Sequence, residues 1–341
     1  MSDRYARQIL FYGIGDRGQK ILMEKSVVLI GCGALGCASA NLLVRSGIKR
    51  LHIIDRDFIE EHNLQRQTLF DEEDIEKNLP KAIAAQRKLR KVNSQIRIDS
   101  TVADINPSNI QTLIGNADII IDGTDNFQTR FLINDYSVKK GIPWIYGACI
   151  GSVGLTMNII PGKTPCLRCI LENIPPPGTI ETCDTAGIIA PVASIVASFQ
   201  VTEAIKILTE NYHALNKGLL EADVWRNMVR YVPADTVTNK TDCIVCCRHH
   251  YEFLTQGKHP ETTSLCGRSA VQILHTYASE IDLTKLAIRL ERAGAVSYNN
   301  FMLRLNLGTY ELAVFPDGRA IISGTNDVSV AKGLYAKYIG M

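Results

Sequence analysis

The chain lacks a large excess of charge of either sign. Its 341 residues include 37 Lys and Arg against 35 Asp and Glu, which leaves a formal net charge of +2. Binding to nucleic acid or to an anionic membrane needs a concentrated basic surface. We therefore expect neither to be the main partner, although local basic clusters can still bind phosphates.

The sequence also lacks an apolar segment typical of a membrane span or an export signal. Its long uncharged runs, 27–44, 142–162 and 185–202, are broken by glycine, proline or polar residues, whereas a span needs about 20 predominantly apolar residues. We interpret them as buried strands and core helices. The N-terminus, MSDRYARQILF, has charges where a secretory signal is apolar, so we expect a cytoplasmic protein.

Internal repeats and low-complexity tracts are absent as well. Hydrophobic residues make up 46% of the chain and charged residues 21%, a globular composition that excludes disorder, collagen and coiled coils. At about 100 to 200 residues per domain, the length predicts two domains. A polar stretch over 239–263 marks the boundary, and we predict domains at 1–250 and 262–341.

Apolar strands and helical patterns alternate in the first predicted domain. Strands are predicted over 27–30, 51–55, 117–122 and 144–146, and helices over 80–92, 129–140 and 191–209. This alternation predicts an α/β fold with a doubly wound, mostly parallel sheet.

The second predicted domain contains an antiparallel meander. Two of its strands meet at Pro316-Asp317-Gly318, a turn sequence, and helical patterns flank the meander at 269–279 and 329–338. We expect a small α+β domain, for which the sequence suggests no catalytic residue. Carrier docking or support of a dimer is a hypothesis for its role, against a passive appendage.

A glycine motif follows the first strand. Gly31, Gly33 and Gly36 have G-x-G-x-x-G spacing where the strand meets a helix, so backbone N–H groups and the helix N-terminus would face a phosphate. Asp55 ends the next strand, where its carboxylate can accept hydrogen bonds from ribose hydroxyls. These residues alone indicate a nucleotide, with NAD the usual ligand and a purely structural glycine turn as the alternative.

Several charged residues follow the predicted strands, and a hydride-transfer reaction would not require them. Attack of a carboxylate on an α-phosphate requires cations along the triphosphate and carboxylates that hold Mg²⁺. Arg66 and Lys81 fit the first requirement, and Asp125 fits the second. A solvated surface charge is the alternative for any one of them.

Ten cysteines are present, and four of them form two Cys-x-x-Cys pairs. In a reducing compartment metal binding is a more common use of cysteine than disulfides. Two such pairs can supply four thiolates to a tetrahedral, structural Zn²⁺, and a redox dithiol is the alternative. The predicted ligands are Cys166, Cys169, Cys243 and Cys246, with Cys247, His249 and His250 as competitors for the fourth position.

Together these motifs resemble those of the ThiF/MoeB/HesA adenylyltransferases, bacterial relatives of the ubiquitin-activating enzymes. The resemblance covers roughly residues 1–247 and is carried by Arg4-Tyr5-x-Arg7-Gln8, the glycine motif, Asp55-x-Asp57, Asn63-Leu64-Gln65-Arg66-Gln67, Thr124-Asp125-Asn126 and the cysteine pairs. It implies a Rossmann-like domain that binds ATP rather than NAD. One departure is Asn78-Leu79-Pro80-Lys81, where the family often has Gly-x-Pro-Lys.

The resemblance also implies residue roles and a reaction. Asp125 would hold Mg²⁺, Arg66 and Lys81 would contact the phosphates, and Arg7 would reach the ATP of the partner subunit in a homodimer. The nucleotide-binding set is Gly31, Gly33, Gly36, Asp55, Asp57, Asn63, Arg66, Gln67, Lys81 and Asp125. The implied reaction is adenylation of the C-terminal glycine carboxylate of a small ubiquitin-like sulfur carrier that ends in Gly-Gly, with release of pyrophosphate. The carrier is ThiS, of thiamine biosynthesis, or MoaD, of molybdopterin biosynthesis, and these residues do not choose between them.

Cys183 precedes a helix predicted to begin near Ile188. A thiol near a helix N-terminus can be nucleophilic because its pKa is lowered. In the resembled family the matching cysteine belongs to a mobile loop and joins covalently to the carrier in some members. An idle, accessible thiol is the alternative.

Two functions of other classes use part of this pattern. An NAD-dependent oxidoreductase would explain the glycine motif and Asp55, but would leave Arg66, Lys81, Asp125 and the zinc cysteines unused. A non-catalytic zinc scaffold would retain the cysteines without ATP ligands, whereas Arg66 and Asp125 are both present.

Overall fold

The chain divides into two compact units, Met1–Gln256 and Gly257–Met341. The structure, a computed structural model, describes residues 3–176, 179, 183–233, 242–255, 262–265, 269–274 and 281–340. Each unit has its own hydrophobic core.

The first unit is built on a sheet that contains eight strands among the described residues. They are β1 (Ser26–Ile30), β2 (Arg50–Asp55), β3 (Arg97–Val102), β4 (Ile119–Asp122), β5 (Trp144–Ile150), β6 (Val153–Ile159), β7 (Gly218–Asp223) and β8 (Met228–Pro233). Their order is β3-β2-β1-β4-β5-β6-β7-β8. The first five are parallel and the last three join antiparallel, which confirms the predicted doubly wound, mostly parallel sheet.

Helices cover both faces of this sheet. They are α1 (Ala6–Ile9), α2 (Gly15–Leu22), α3 (Ala34–Ser46), α4 (Glu72–Glu76), α5 (Lys81–Val92), α6 (Ile110–Ile114), α7 (Phe127–Lys140), α8 (Leu167–Ile170), α9 (Cys183–Ala186), α10 (Ala190–Leu208) and α11 (Glu252–Thr255). Successive residues of β1 enter different cores, Val27 and Leu29 on one face and Val28 and Ile30 on the other. Burial on both faces explains why the strand is continuously apolar.

Within the described part of the chain, α10 is the one helix that is long and apolar enough to cross a membrane. Of its most apolar window, 56% is buried inside the protein. A Cβ added to Gly154 of β6 would lie 2.2 Å from the Val196 side chain, so helix and sheet are in close contact. Packing in the core accounts for the apolar composition of α10.

The strand order reverses beside β1, which has β2 on one side and β4 on the other. In open α/β sheets ligands bind at the carboxyl ends of strands at such a switch point. The glycine motif follows β1, Asp55 ends β2 and Asp122 ends β4. The fold thus brings three predicted segments to one edge of the sheet.

The second unit contains a six-stranded antiparallel sheet in its described part, with order β11-β12-β13-β14-β10-β9. Its elements are β9 (Thr262–Leu265), β10 (Ala270–Ile273), α12 (Leu283–Leu290), β11 (Ala295–Tyr298), β12 (Leu303–Asn306), β13 (Glu311–Val314), β14 (Ala320–Ser323) and α13 (Val328–Tyr338). Leu303, Leu305 and Leu312 of the meander pack in a core with residues of both helices. The predicted small α+β domain is confirmed.

The helix predicted over 269–279 is wrong over its described residues. Residues Ala270–Ile273 form a strand between β9 and β14, and all four are buried. Strand pairing and burial in the sheet override the helical spacing of the apolar residues. Residues 275–280 lie outside the described part.

Candidate nucleotide site and cysteine cluster

Two of the motif glycines allow the loops after β1 and β4 to touch. Gly31 has a φ of +86°, and a Cβ there would lie 2.5 Å from the carbonyl oxygen of Gly123. A Cβ on Gly36 would lie 2.1 Å from the Gly31 oxygen. At Gly33 the nearest atom to an added Cβ is the Gln67 amide nitrogen, 4.0 Å away. Gly31 and Gly36 are therefore needed for packing, whereas Gly33 leaves room for a ligand beside the loop.

Asp55 holds this loop against β2. Its carboxylate accepts hydrogen bonds from the backbone N–H of Cys32 at 2.5 Å and of Asp57 at 2.7 Å. Burial raises the pKa of Asp55, while the nearby Lys81 charge and these two bonds oppose the rise. Carboxylate oxygens have further lone pairs, so Asp55 can both order the loop and accept from a ribose.

Lys81 is a buried cation at the start of α5. It is 3% exposed, and its Nζ lies 3.1 Å from Oδ2 of Asp57. A buried charge requires such a partner. Asp57 thus positions Lys81, a role that the motif alone did not reveal.

Arg56 is a candidate site residue that the sequence analysis missed. Its Nη1 donates to Oδ1 of Asp104 at 3.0 Å, and its Nε lies 3.8 Å from Oδ1 of Asp57. Burial lowers the pKa of Arg56, but the carboxylates of Asp104, Asp57 and Asp125 outweigh burial and raise it. Its place at a strand end, between two aspartates in the sequence, was the available signal.

Two buried amides, Asn63 and Gln67, have unused polar atoms, and Gln67 lies beside the glycine loop. Asn63 is fully buried, and its Oδ1 accepts from Glu60 N at 3.1 Å. Among the described residues no partner exists for Nδ2 of Asn63 or Oε1 of Gln67. Buried polar atoms are nearly always paired, so a polar ligand fits here. Arg66 lies between them in the chain, half-buried, with Nη1 donating to His62 O at 2.8 Å.

Asp125 lies in a turn after β4 that is held by side-chain hydrogen bonds. Asp122 is fully buried, and its Oδ1 accepts from N and Oγ1 of Thr124 at 2.9 and 2.7 Å. Asn126 caps α7 by accepting from Thr129 N at 2.8 Å. Asp125 is exposed between them, and within the described ranges its carboxylate receives one hydrogen bond, from Asn126 Nδ2 at 3.4 Å. Its oxygens are therefore available for Mg²⁺, a cation that prefers carboxylate ligands.

Arg7 is not brought to the nucleotide edge of its own chain. The neighbouring Gln8 donates to Ser46 O at 2.9 Å, at the end of α3 opposite the glycine loop. The 13 residues of α3 span about 20 Å at 1.5 Å per residue. Arg7 is exposed, beside the exposed apolar side chains of Leu10, Phe11 and Tyr12.

The four predicted zinc ligands lie together. Their Sγ atoms are within 4.8 Å of one another, with Cys166 3.8 Å from Cys169 and 3.6 Å from Cys243, and Cys169 3.4 Å from Cys246. Zn–S bonds of about 2.3 Å in a tetrahedron place sulfur atoms about 3.8 Å apart. The donor set and its spacing therefore fit Zn²⁺.

A tight turn selects Cys246 rather than Cys247 for this cluster. The backbone N–H groups of Cys247 and Arg248 both donate to Cys243 O at 3.0 Å. Cys247 is exposed and its sulfur lies 3.9 Å from that of Cys246, outside the group of four. His249 and His250 are exposed as well.

The Cys183 side chain lies outside the described residues. The residue itself begins the short helix α9. Its predicted reactivity therefore stays a prediction.

Asp135 of α7 provides a test of pH dependence. It is fully buried, and Oδ2 accepts from Phe253 N at 2.9 Å. Burial raises its pKa from 3.8 to about 6, against that bond and the Arg168 charge. Since the folded state retains a proton that the unfolded state releases between these values, stability falls as the pH rises through this window.

Asp135→Asn should therefore stabilise the protein more, or destabilise it less, at pH 7.5 than at pH 5. The difference should be about 1 kcal/mol in the free energy of unfolding, measured by urea titration. Asparagine retains an oxygen that can accept from Phe253 N. An equal effect of the substitution at both pH values would contradict this prediction.

Known proteins share this architecture. The ThiF family model matches residues 5–247. The sulfur carrier protein ThiS adenylyltransferase of Bacillus subtilis is 46% identical over 341 residues, which cover 100% of both chains. The sulfur carrier protein adenylyltransferase of Thermus thermophilus is 33% identical over 249 residues, 72% of this chain and 90% of that protein. A crystal structure of E. coli MccB with ATP has a TM-score of 0.62 at 27% identity and covers 72% of this chain and 75% of that one.

The matched region contains the glycine loop, Asp55, Lys81, Asp125 and the cysteine cluster. The resemblance inferred from these motifs is thereby confirmed. The chain belongs to the ThiF family and is an adenylyltransferase.

Proposed function

We propose that the protein uses Mg²⁺ and ATP to adenylate the C-terminal glycine carboxylate of a small ubiquitin-like sulfur carrier. The observation that carries this proposal is the meeting of the glycine loop, buried Lys81 and exposed Asp125 at one switch point. The names of the Bacillus and Thermus relatives supply the substrate class. The chain would act in the cytoplasm, without nucleic acid or a membrane as partner.

The protein's part in this reaction is positioning and charge compensation. N–H groups of the loop around Gly33 would bind phosphate, and Asp55 would orient the ribose. Lys81 and Arg66 would neutralise phosphate charge as the carboxylate attacks phosphorus and pyrophosphate leaves. Asp125 would hold Mg²⁺, which supplies further charge neutralisation when bound.

A homodimer would complete this site. Arg7 lies remote from the glycine loop of its own chain, so its proposed contact with ATP requires a second subunit. The exposed Leu10, Phe11 and Tyr12 beside it give this segment an apolar surface that a partner can cover. We propose that the N-terminal segments mediate this contact.

Within this class we propose a ThiS-type carrier rather than MoaD. The Bacillus relative named for ThiS aligns over the whole chain, including 262–341, whereas the Thermus protein aligns over 72% of it. The second unit is therefore shared with a ThiS enzyme. We propose that it supports carrier docking or the dimer.

Exchange of labelled pyrophosphate into ATP tests this function, because adenylate formation is reversible while the adenylate stays bound. A ThiS-type carrier should support exchange with a kcat/KM about tenfold or more above that of a MoaD-type carrier, a difference of about 1.4 kcal/mol. A carrier that lacks its last glycine is the matched control and should give no exchange. Absence of exchange with every carrier would contradict the proposed reaction, and preference for MoaD would contradict the choice of carrier.

A further inference from the structure

Arg130 is a buried cation to which the reaction described above gives no role. It is the fourth residue of α7, five residues after Asp125, and is 6% exposed. Its guanidinium lies 5.3 Å from the ring centre of Tyr146 and 5.6 Å from that of Phe127. Burying an arginine is costly unless its charge and donors are used, so its partners are informative.

The partners of Arg130 are two backbone carbonyls and one carboxylate around the Asp125 turn. Nη2 donates to Thr124 O at 2.6 Å and to Gly147 O of β5 at 3.0 Å. Nε lies 3.4 Å from Oδ2 of the fully buried Asp122. One side chain thus ties the turn after β4 to the neighbouring strand.

These contacts fix the peptide that leads into Asp125. The Thr124 carbonyl, held by Arg130, belongs to the peptide group whose nitrogen is that of Asp125. On the other side, Asn126 is held as the N-cap of α7. The backbone of Asp125 is therefore restrained on both sides, although its side chain is exposed.

We propose that Arg130 is a positioning residue that orients Asp125 for Mg²⁺. This inference rests on the proposed function. Outer-shell partners of metal ligands typically change metal affinity by about 10- to 100-fold when they are replaced. Arg130 acts here through the backbone, without contact with the metal.

Charge and geometry predict opposite effects at this position. Burial lowers the pKa of Arg130, but Asp122, Tyr146, Asp125 and Cys149 together raise it. Arg130 is therefore a cation, and it follows the proposed metal ligand by five residues. If repulsion between Arg130 and Mg²⁺ were its main effect, neutralising the arginine would strengthen Mg²⁺ binding. If Arg130 positions Asp125, losing the carbonyl contacts weakens Mg²⁺ binding.

Arg130→Lys is the most informative variant, because it retains the charge beside Asp122 but cannot reproduce the planar guanidinium contacts. Calorimetric titration of ATP at graded Mg²⁺ concentrations measures nucleotide binding without a carrier. We expect about tenfold more Mg²⁺ for half-maximal binding, with ATP affinity at saturating Mg²⁺ changed less than about threefold. Excess Mg²⁺ should also restore pyrophosphate exchange.

Two further variants separate positioning from general destabilisation. Arg130→Met combined with Asp122→Asn removes the buried ion pair without leaving an unpaired charge, and should raise the Mg²⁺ concentration needed for half-maximal binding, as Arg130→Lys does. Asn158→Ala removes two hydrogen bonds of a buried side chain on β6, to Glu203 and to Asn216 O, and should leave that concentration unchanged.

Three results would overturn this inference without affecting the proposed function. They are a Mg²⁺ requirement of Arg130→Lys equal to that of wild type, stronger Mg²⁺ binding by the double variant Arg130→Met, Asp122→Asn, and a shift in Asn158→Ala equal to that in Arg130→Lys. Wild-type protein that binds no ATP at any Mg²⁺ concentration would overturn the proposed function, and the inference with it.

Discussion

Replacing Asp125 by alanine should abolish exchange of pyrophosphate into ATP. The carboxylate is the exposed acid in the turn after β4, and its replacement removes the proposed protein ligand of Mg²⁺. Without that ligand, charge that develops on the triphosphate is left without correctly placed compensation. We expect a loss of about 10³-fold or more in kcat/KM, measured with saturating carrier.

Two matched variants make this result specific. Asp125→Asn has nearly the same shape but lacks the charge, and should also be inactive. Cys183→Ala should leave exchange largely intact, because a thiol takes no part in carboxylate attack on phosphorus. Loss of exchange in folded Cys183→Ala together with activity in Asp125→Ala would reverse the assigned roles.

The sequence predicted which segments lie at the strand ends of this edge, because the signals of these segments are local. A strand that ends in glycines, an aspartate at the next strand end and an acidic turn after a third strand each appear within a few residues. Parallel strands then bring their carboxyl ends together without further information. The NAD-dependent oxidoreductase and the non-catalytic scaffold, which used parts of the same pattern, are excluded by the family and enzyme class.

The interactions that the sequence did not predict depend on contacts between distant segments. Arg56 is paired with Asp104, 48 residues away in the chain, and Arg130 spans from Asp122 to Gly147. Neither pairing has a periodic or short-range signature. The antiparallel strands β6 to β8 were missed for a similar reason. β7 pairs with β6 in the sheet, but the two strands are separated in the sequence by α10 and the segments before it.

The fourth cysteine of the cluster could be identified only from the structure. Cys246 and Cys247 are adjacent, so spacing alone favoured the Cys-x-x-Cys pattern without excluding the neighbour. The turn closed by Cys243 O directs Cys246 into the cluster and leaves Cys247 exposed.

Among the changes considered, removal of the proposed zinc should reduce the stability of the fold most. We expect about one Zn²⁺ per chain by elemental analysis, because four thiolates complete a closed tetrahedral site. The double variant Cys166→Ser, Cys243→Ser should contain no zinc. Structural zinc sites in small peptides contribute about 10 kcal/mol or more of apparent binding free energy at pH 7, so even part of this loss is comparable with the stability of a domain.

The effect of the double variant should be concentrated near the cluster. Cys166, Cys169 and Cys243 pack in the same core as Phe131 and Trp144, and Leu167 N is held by Oδ1 of Asn134 at 2.8 Å. Hydrogen exchange should therefore accelerate first in α8 and in the residues that follow Cys243. Cys247→Ser is the matched control and should retain both zinc and protection, because its sulfur lies outside the group of four. Zinc that survives unchanged in the double variant, or is lost in the control, would show that these four residues do not form the site.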